Sequence, residues 1–235
     1  MKKAIGYSLV VGLIVGLFVG AFYRLPKKAP KNLIKAPTTR YHGYELNRKA
    51  IEYAKGYTVA ISGEGFNGGY RGTGVLLGPT YVLTCYHVVE HPMLEYLVYT
   101  SDMKEVYHAK MIFGSQEDDL AVLKLDRPTG RKGKVVFQAD HYDGQPITII
   151  GNALGSMKWF VAYGIISAED DQFLYTDGAV MPGDSGGPWI NEKGEVIALS
   201  DFGYRGTSVS GGIRTDVIGA FLMRWIISMS LPGMK

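Results

Sequence analysis

The chain has 235 residues, 46% hydrophobic and 20% charged, which excludes a disordered polymer and leaves room for one or two domains with a sizeable core. The formal net charge of +3 is uneven: residues 1–40 hold eight Lys/Arg and no acid, whereas residues 41–235 hold 17 basic against 22 acidic residues, a net of −5. The part able to fold is therefore mildly acidic, which speaks against a nucleic-acid partner; the single cysteine, Cys85, excludes an internal disulfide.

Residues 4–23, AIGYSLVVGLIVGLFVGAFY, carry no charge. As a helix they span about 30 Å, the thickness of a hydrocarbon core, and residues 1–25 are expected to be a transmembrane anchor of a single-pass membrane protein. The small residues VGA at 19–21 leave open a cleaved signal peptide. Ser8, Gly12, Gly16 and Gly20 recur every four residues and share one helix face, which predicts a homo-oligomeric contact by close helix approach. Lys2 and Lys3 precede the segment, while Arg24, Lys27, Lys28, Lys31 and Lys35 follow it, a bias that favours a cytoplasmic carboxy-terminal part. Residues 26–45, with Pro26, Pro30 and Pro37, read as an extended basic tether.

From residue 46 onward short apolar runs alternate with turn signals: GTGVLL, YVLTCYHVV, LAVLKL, PITIIG, FVAYGIISA, PWI and EVIAL. The runs have strand length, β-branched content and no βαβ alternation, so an all-β barrel or sandwich is expected. The Pro, Gly and charge cluster DRPTGRKGK at 126–134 divides the run into two halves, about 50–128 and 133–215. The tail DVIGAFLMRWIISMS, 216–230, predicts a helix capped by Asp216, with Val217, Phe221, Arg224, Trp225 and Ile227 or Ser228 at helical spacing, and it is expected to dock on the second half.

PGDSGGPW, residues 182–189, sets one hydroxyl among turn-forming residues. Attack on an amide needs a nucleophile, a base and donors for an oxyanion. Ser185 is the candidate nucleophile, and the amides of Gly183 and Ser185 are the candidate oxyanion donors. GDSGG also fits the elbow of α/β-hydrolases, but there the histidine follows the serine. Here His42, His87, His91, His108 and His141 all precede Ser185. His87, at the end of an apolar strand, is the candidate base. Asp118 and Asp119, at the mouth of LAVLKL, are the candidate acids that hold the base in its tautomer. The constellation calls for no metal and no cofactor.

LTCYHVV, DDLAVLKL and PGDSGGP, in this order, resemble the His, Asp and Ser motifs of trypsin/chymotrypsin-like serine proteases. IIGNALG with VAYGIISA, and TDGAVMPGDSGGPWINEKGEVIAL, are similar to segments of the bacterial HtrA (Deg) type, and the resemblance covers about residues 55–230. It implies two antiparallel six-stranded β-barrels with the site in the cleft between them. It also implies His87 as base, Asp119 as its orienting acid, Ser185 as nucleophile, and protein or peptide substrates. The primary substrate pocket is expected at Ala179, with Ser200 and Arg214 as further pocket residues. No acid stands at Ala179, which implies a small or medium apolar side chain; Arg214 in the pocket would favour an acidic one.

Two departures stand out. HtrA proteases carry a PDZ domain after the protease, whereas this sequence ends directly after the expected helix, so PDZ-regulated assembly is not expected. Asp184 stands where that group usually has Asn, and no activation sequence supplies the amino terminus with which such an Asp pairs in digestive enzymes. The resemblance implies a location outside the cytoplasm, opposite to the flanking charges, and the side of the membrane stays open. The alternative to an endopeptidase is an inactive protease fold that binds peptides or directs assembly at the membrane.

Overall fold

The structure, a computed structural model, describes residues 43–65, 68–90, 95–131, 133–155, 159–204 and 206–230. Residues 4–23, the Ser8/Gly12/Gly16/Gly20 face, all of the tether before Gly43, His42 and His91 lie outside these described residues.

Six strands close the first barrel: β1 (Thr58–Gly65), β2 (Gly68–Leu76), β3 (Tyr81–Cys85), β4 (Tyr96–Thr100), β5 (Val106–Ser115) and β6 (Leu120–Leu125). Six more close the second: β7 (Pro146–Gly151), β8 (Phe160–Glu169), β9 (Phe173–Thr176), β10 (Pro188–Ile190), β11 (Val196–Gly203) and β12 (Ser210–Arg214). Every strand pairing is antiparallel, and the order around each barrel is the same, β1-β2-β3-β6-β5-β4 in one and β7-β8-β9-β12-β11-β10 in the other. The strands follow from the sequence pattern. In β4, YLVYT, alternate residues Tyr96, Val98 and Thr100 are buried, the period of a half-covered strand. β3 and β6 are buried along almost their whole length, because the second barrel and a helix cover their outer face.

That helix is α2, Thr215–Ser230. The expected tail helix is present, but its buried stripe is Ile218, Phe221, Leu222, Trp225 and Ile226, and Ile227 is exposed. It does not rest on the second half alone. Trp225 meets Tyr81 edge-on with ring centroids 5.0 Å apart, and Phe221 meets Phe113 at 5.2 Å, so the helix leaves the second barrel and packs on the first. Arg224 completes the strap with an ion pair to Asp118. One apolar core accordingly runs through both halves, joining Leu83, Val122 and Leu123 to Ile150, Leu199 and Ile213. A smaller cluster around Trp189, Ile149 and Leu174 fills the second barrel.

A second helix, α1 (Gly43–Lys55), occupies the stretch expected to be tether and first strand. Among its residues with described side chains, 48–55, it buries Ala50, Ile51 and Ala54, too narrow a stripe to stand out from sequence. Tyr57, fully buried just after it, donates to the carbonyl of Gly194 at 2.7 Å and ties the start of the first barrel to the second.

The expectation of a single-pass membrane protein is corrected here: among the described residues no helix is long and apolar enough to cross a membrane. The apolar helix α2 has 16 residues, includes Arg224, and spends its apolar stripe on the barrels.

Candidate active site

β3 stops at Cys85, earlier than its apolar run suggests, and one 3-10 turn, Tyr86–Val88, carries His87 into the cleft. The strand ends because the amide of Tyr86 leaves the sheet and donates to the carbonyl of Asp119 at 2.9 Å. Asp119 has a left-handed backbone, φ 51°, a region that Asp tolerates better than most residues. The twist lets one residue grip the turn three times. Besides the Tyr86 bond, Oδ1 accepts from the His87 amide at 2.9 Å and Oδ2 lies 2.6 Å from His87 Nδ1. With Nδ1–H donating to a carboxylate, Nε2 keeps its lone pair and can act as a base. Burial disfavours the imidazolium, but the hydrogen bond and charge of Asp119, then the charges of Asp201 and Glu90, outweigh it and raise the His87 pKa. The neighbouring acid, Asp118, faces away to Arg224.

Ser185 sits in the loop between β9 and β10. Gly183 has φ 100° and Gly186 φ 83°, both in the region that favours glycine. Space is as restrictive as conformation. A Cβ on Gly186 would lie 2.2 Å from the carbonyl oxygen of Thr73, and one on Gly187 would lie 2.4 Å from that of Ile150. The glycine pair after Ser185 is therefore what allows the two barrels to close on the loop. The amides of Asp184, Gly186 and Gly187 are bonded to Met181, Ser200 and Asp184, whereas those of Gly183 and Ser185 meet no acceptor among the described residues. Donors without an acceptor of their own are what an oxyanion needs.

Thr73, on β2, fixes this loop from the other barrel. Its hydroxyl donates to the Gly183 carbonyl at 2.7 Å and its amide donates to the Ser185 carbonyl at 2.9 Å, while the Asn152 amide donates to the same hydroxyl at 2.9 Å. No sequence motif singles out Thr73; only its burial among carbonyls marks it.

The Ser185 hydroxyl donates to the main-chain oxygen of Asp201 at 2.9 Å rather than to His87. Asp201 also brings a second carboxyl to the site, with Oδ1 3.7 Å from His87 Nδ1. Cys85 Sγ, His87 Nδ1 and the carboxyl oxygens of Asp119 and Asp201 lie within 4.8 Å of one another. Their donor atoms are spent within the site: Nδ1 on Asp119, and Sγ on the Ser200 carbonyl at 3.3 Å. Cys85 is fully buried, and burial, followed by the charges of Asp201 and Asp119, pushes its thiol well above its ordinary pKa, so it is a packed and unreactive sulfur.

Asp184, 3% exposed, has no cationic partner among the described residues. Oδ2 accepts from the Met181 amide at 2.9 Å and Oδ1 has no hydrogen-bond partner. Burial pushes its pKa up to about 6, against the lowering effect of the Met181 bond. The side chain lies over Gly151, where a Cβ would come 2.2 Å from Oδ1.

A cavity of about 470 Å³ opens beside Ser185. Ala179, Val180, Met181 and Val209 supply apolar wall, Ser210 and Thr207 hydroxyls, and Asp177 and Asp201 carboxyls. Two residues expected in the pocket do not line this cavity. Ser200 faces inward, where its hydroxyl accepts from Trp189 Nε1 at 2.8 Å. Arg214 is held outside the cavity by Asp216 and Glu169, each at 2.9 Å. Of the other histidines, His108 pairs with Glu95 and His141 with Glu169, away from the cleft.

The comparisons with known proteins agree with this geometry. A family described as "Trypsin-like peptidase domain" matches residues 72–199. Over 138 residues, 55% of this chain and 28% of the relative, the chain is 34% identical to a protein of Pseudomonas savastanoi pv. phaseolicola named "Probable periplasmic serine endoprotease DegP-like". A protein of the same name from Ectopseudomonas mendocina is 37% identical over 132 residues, 51% of this chain and 26% of that one. "Protease Do-like 1, chloroplastic" of Arabidopsis thaliana is 28% identical over 160 residues, 60% of this chain and 36% of that one. The chain thus spans about a quarter to a third of the length of these relatives. Two of these names place their proteins in the periplasm. Among solved structures, the serine endoprotease from Yersinia pestis shares the fold with a TM-score of 0.69 and 24% identity, over 82% of this chain and 68% of that one. With the family match covering more than half of the sequence, and that match running from β2 through the His87 turn and the Ser185 loop to β11, this chain belongs to the trypsin-like peptidase domain family.

Proposed function

We propose that the chain is a serine endopeptidase that hydrolyses peptide bonds of proteins. His87 is the base, Asp119 holds its Nδ1–H, Ser185 is the nucleophile and the amides of Gly183 and Ser185 receive the oxyanion. The observation that supports this reading is the 2.6 Å His87–Asp119 contact in the same cleft as a serine flanked by two unengaged amides. In this mechanism substrate binding turns the Ser185 hydroxyl from the Asp201 carbonyl to His87. Oγ attacks the scissile carbonyl carbon as Nε2 takes its proton, and the carbonyl oxygen gains charge against the two amides. Collapse breaks the C–N bond, the amine leaves with the proton from His87, and water repeats the sequence on the acyl-enzyme.

The cavity beside Ser185 is read as the primary specificity pocket. Its floor at Ala179 and the adjoining Val180 and Met181 suit a small or medium apolar side chain. The acidic preference considered for Arg214 is withdrawn, since that guanidinium is engaged by Glu169 and Asp216 outside the cavity.

A fluorophosphonate probe and casein test the reading. Wild type is expected to be labelled at Ser185 and to cleave casein; Ser185→Ala loses labelling and at least about 10⁴-fold in turnover. Folded wild type that is neither labelled nor active between pH 7 and 9 overturns it. The resting bond of Ser185 to the Asp201 carbonyl favours one other reading, a peptide-binding module without turnover. That reading requires peptide binding that Ser185→Ala leaves unchanged.

A further inference from the structure

Asp201 lies on β11, where a run of apolar residues, Val196–Leu199, gives way to Ser200 and then an acid. Its side chain is 11% exposed, and no lysine or arginine among the described residues lines the cavity it borders. The groups around it are Asp119 from the turn before β6, Cys85 from the end of β3 and His87 from the turn that follows it, and Asp177 and Tyr204 line the same cavity. Glu90 adds charge farther along the His87 turn. Its carboxyl and that of Asp119 lie within 4.8 Å of each other, and two carboxylates that close resist simultaneous ionisation.

We propose that Asp201 is a positioning residue of the His87–Asp119 pair: its carboxyl shares one proton with Asp119, and the state of that proton decides whether the imidazole faces one negative charge or two. In the protonated state the Asp201 O–H donates to Asp119. It fills an acceptor site on that carboxylate without competing for the Nδ1–H of His87. When the proton leaves, Asp201 repels Asp119 and draws charge onto the imidazole from 3.7 Å, strengthening its hold on a proton. Burial first, then the charge of Asp119, raise the Asp201 pKa to about 7, with His87 opposing, so the change falls near neutral pH. The same residue holds the resting Ser185 hydroxyl through its main-chain oxygen. A substitution at Asp201 keeps that contact and changes only the carboxyl.

The consequence for turnover rests on the serine peptidase reading; the titration of His87 does not. The test is an NMR titration of the His87 ring from pH 4.5 to 9.5 in wild type, Asp201→Asn and Asp201→Ser, with kcat/KM followed over the same range. The wild-type ring is expected to show two inflections. Asn and Ser, which can donate to Asp119 but carry no charge, are expected to give one, with its midpoint about one pH unit lower. The acid limb of kcat/KM shifts by the same amount. A single inflection with the same midpoint in wild type and in whichever variant folds overturns the proposal. If wild type proves inert to the fluorophosphonate, the peptidase reading fails, while the ring titration still decides the role of Asp201.

Discussion

Replacing Asp184 by Asn isolates the cost of burying a carboxyl without a cation. The ordinary pKa is 3.8 and burial lifts it to about 6 in the folded protein. A raised acid pKa means that the native state holds the proton more tightly than the unfolded chain. Its cost is absent below about pH 3.8, grows as pH rises, and is complete above about pH 6. Ionising Asp184 then costs about 3 kcal/mol at pH 8 and about half that at pH 5. Asn keeps the acceptor for the Met181 amide but sets an N–H₂ group over Gly151, at the place of the unpartnered Oδ1. That packing term shifts all conditions equally, and the titration of Asp201 is common to both proteins. The informative quantity is thus the change with pH. Urea unfolding at pH 5 and pH 8 should show Asp184→Asn gaining about 1.4 kcal/mol on wild type between the two, or about 3–5 °C in Tm. A stability difference that is flat with pH would refute the reasoning, and one that falls would mean that the carboxylate has found a cation.

Two other substitutions test how the site is held and what it selects. Thr73→Val removes the hydroxyl that spans to Gly183 and leaves a buried carbonyl and the Asn152 amide unpaired. Thermal unfolding should show a loss of about 1–3 kcal/mol. Casein turnover should fall about tenfold or more with KM little changed; unchanged turnover would dismiss Thr73 as a support of the oxyanion donors. Arg214→Ala should leave the ranking of peptide substrates by the residue before the scissile bond unchanged, measured across a panel of apolar, acidic and basic residues. A gain or loss confined to acidic residues would return Arg214 to the pocket.

The residues proposed for catalysis were legible in sequence because each sits in a compact motif and because the chain order of His87, Asp119 and Ser185 excludes the other fold with a similar serine loop. The pocket was less legible, for a reason visible on β11. Ser200 was expected in the pocket, but it is the neighbour Asp201 that lines it. Successive strand residues point to opposite faces, so an error of one residue exchanges a wall of the cavity for a partner of Trp189. Arg214 was misplaced because its direction is set by Glu169, 45 positions earlier and on another strand. Thr73 carries no local signature, since its role exists only once two barrels have closed around it. The helix α1 was missed, its start read as tether and the rest as the opening of the first barrel, because Ala50, Ile51 and Ala54 make a stripe too slight to outweigh the charged residues around them. The strap made by α2 was half legible: the helix follows from its periodicity, but which barrel receives Trp225 depends on Tyr81.

The division of labour between the barrels has a consequence for how this protein fails. His87 and Asp119 are rooted in the first barrel, Ser185 and Asp201 in the second, and Thr73 and α2 cross the seam. Each barrel is closed on itself and keeps its own strand pairing, but one apolar core runs through both, so parting the seam would expose Leu83, Val122, Ile150 and Leu199 together. In the proposed mechanism the core that holds the fold together therefore also holds the site together: the base and the nucleophile meet only while the shared cluster keeps the two halves in register.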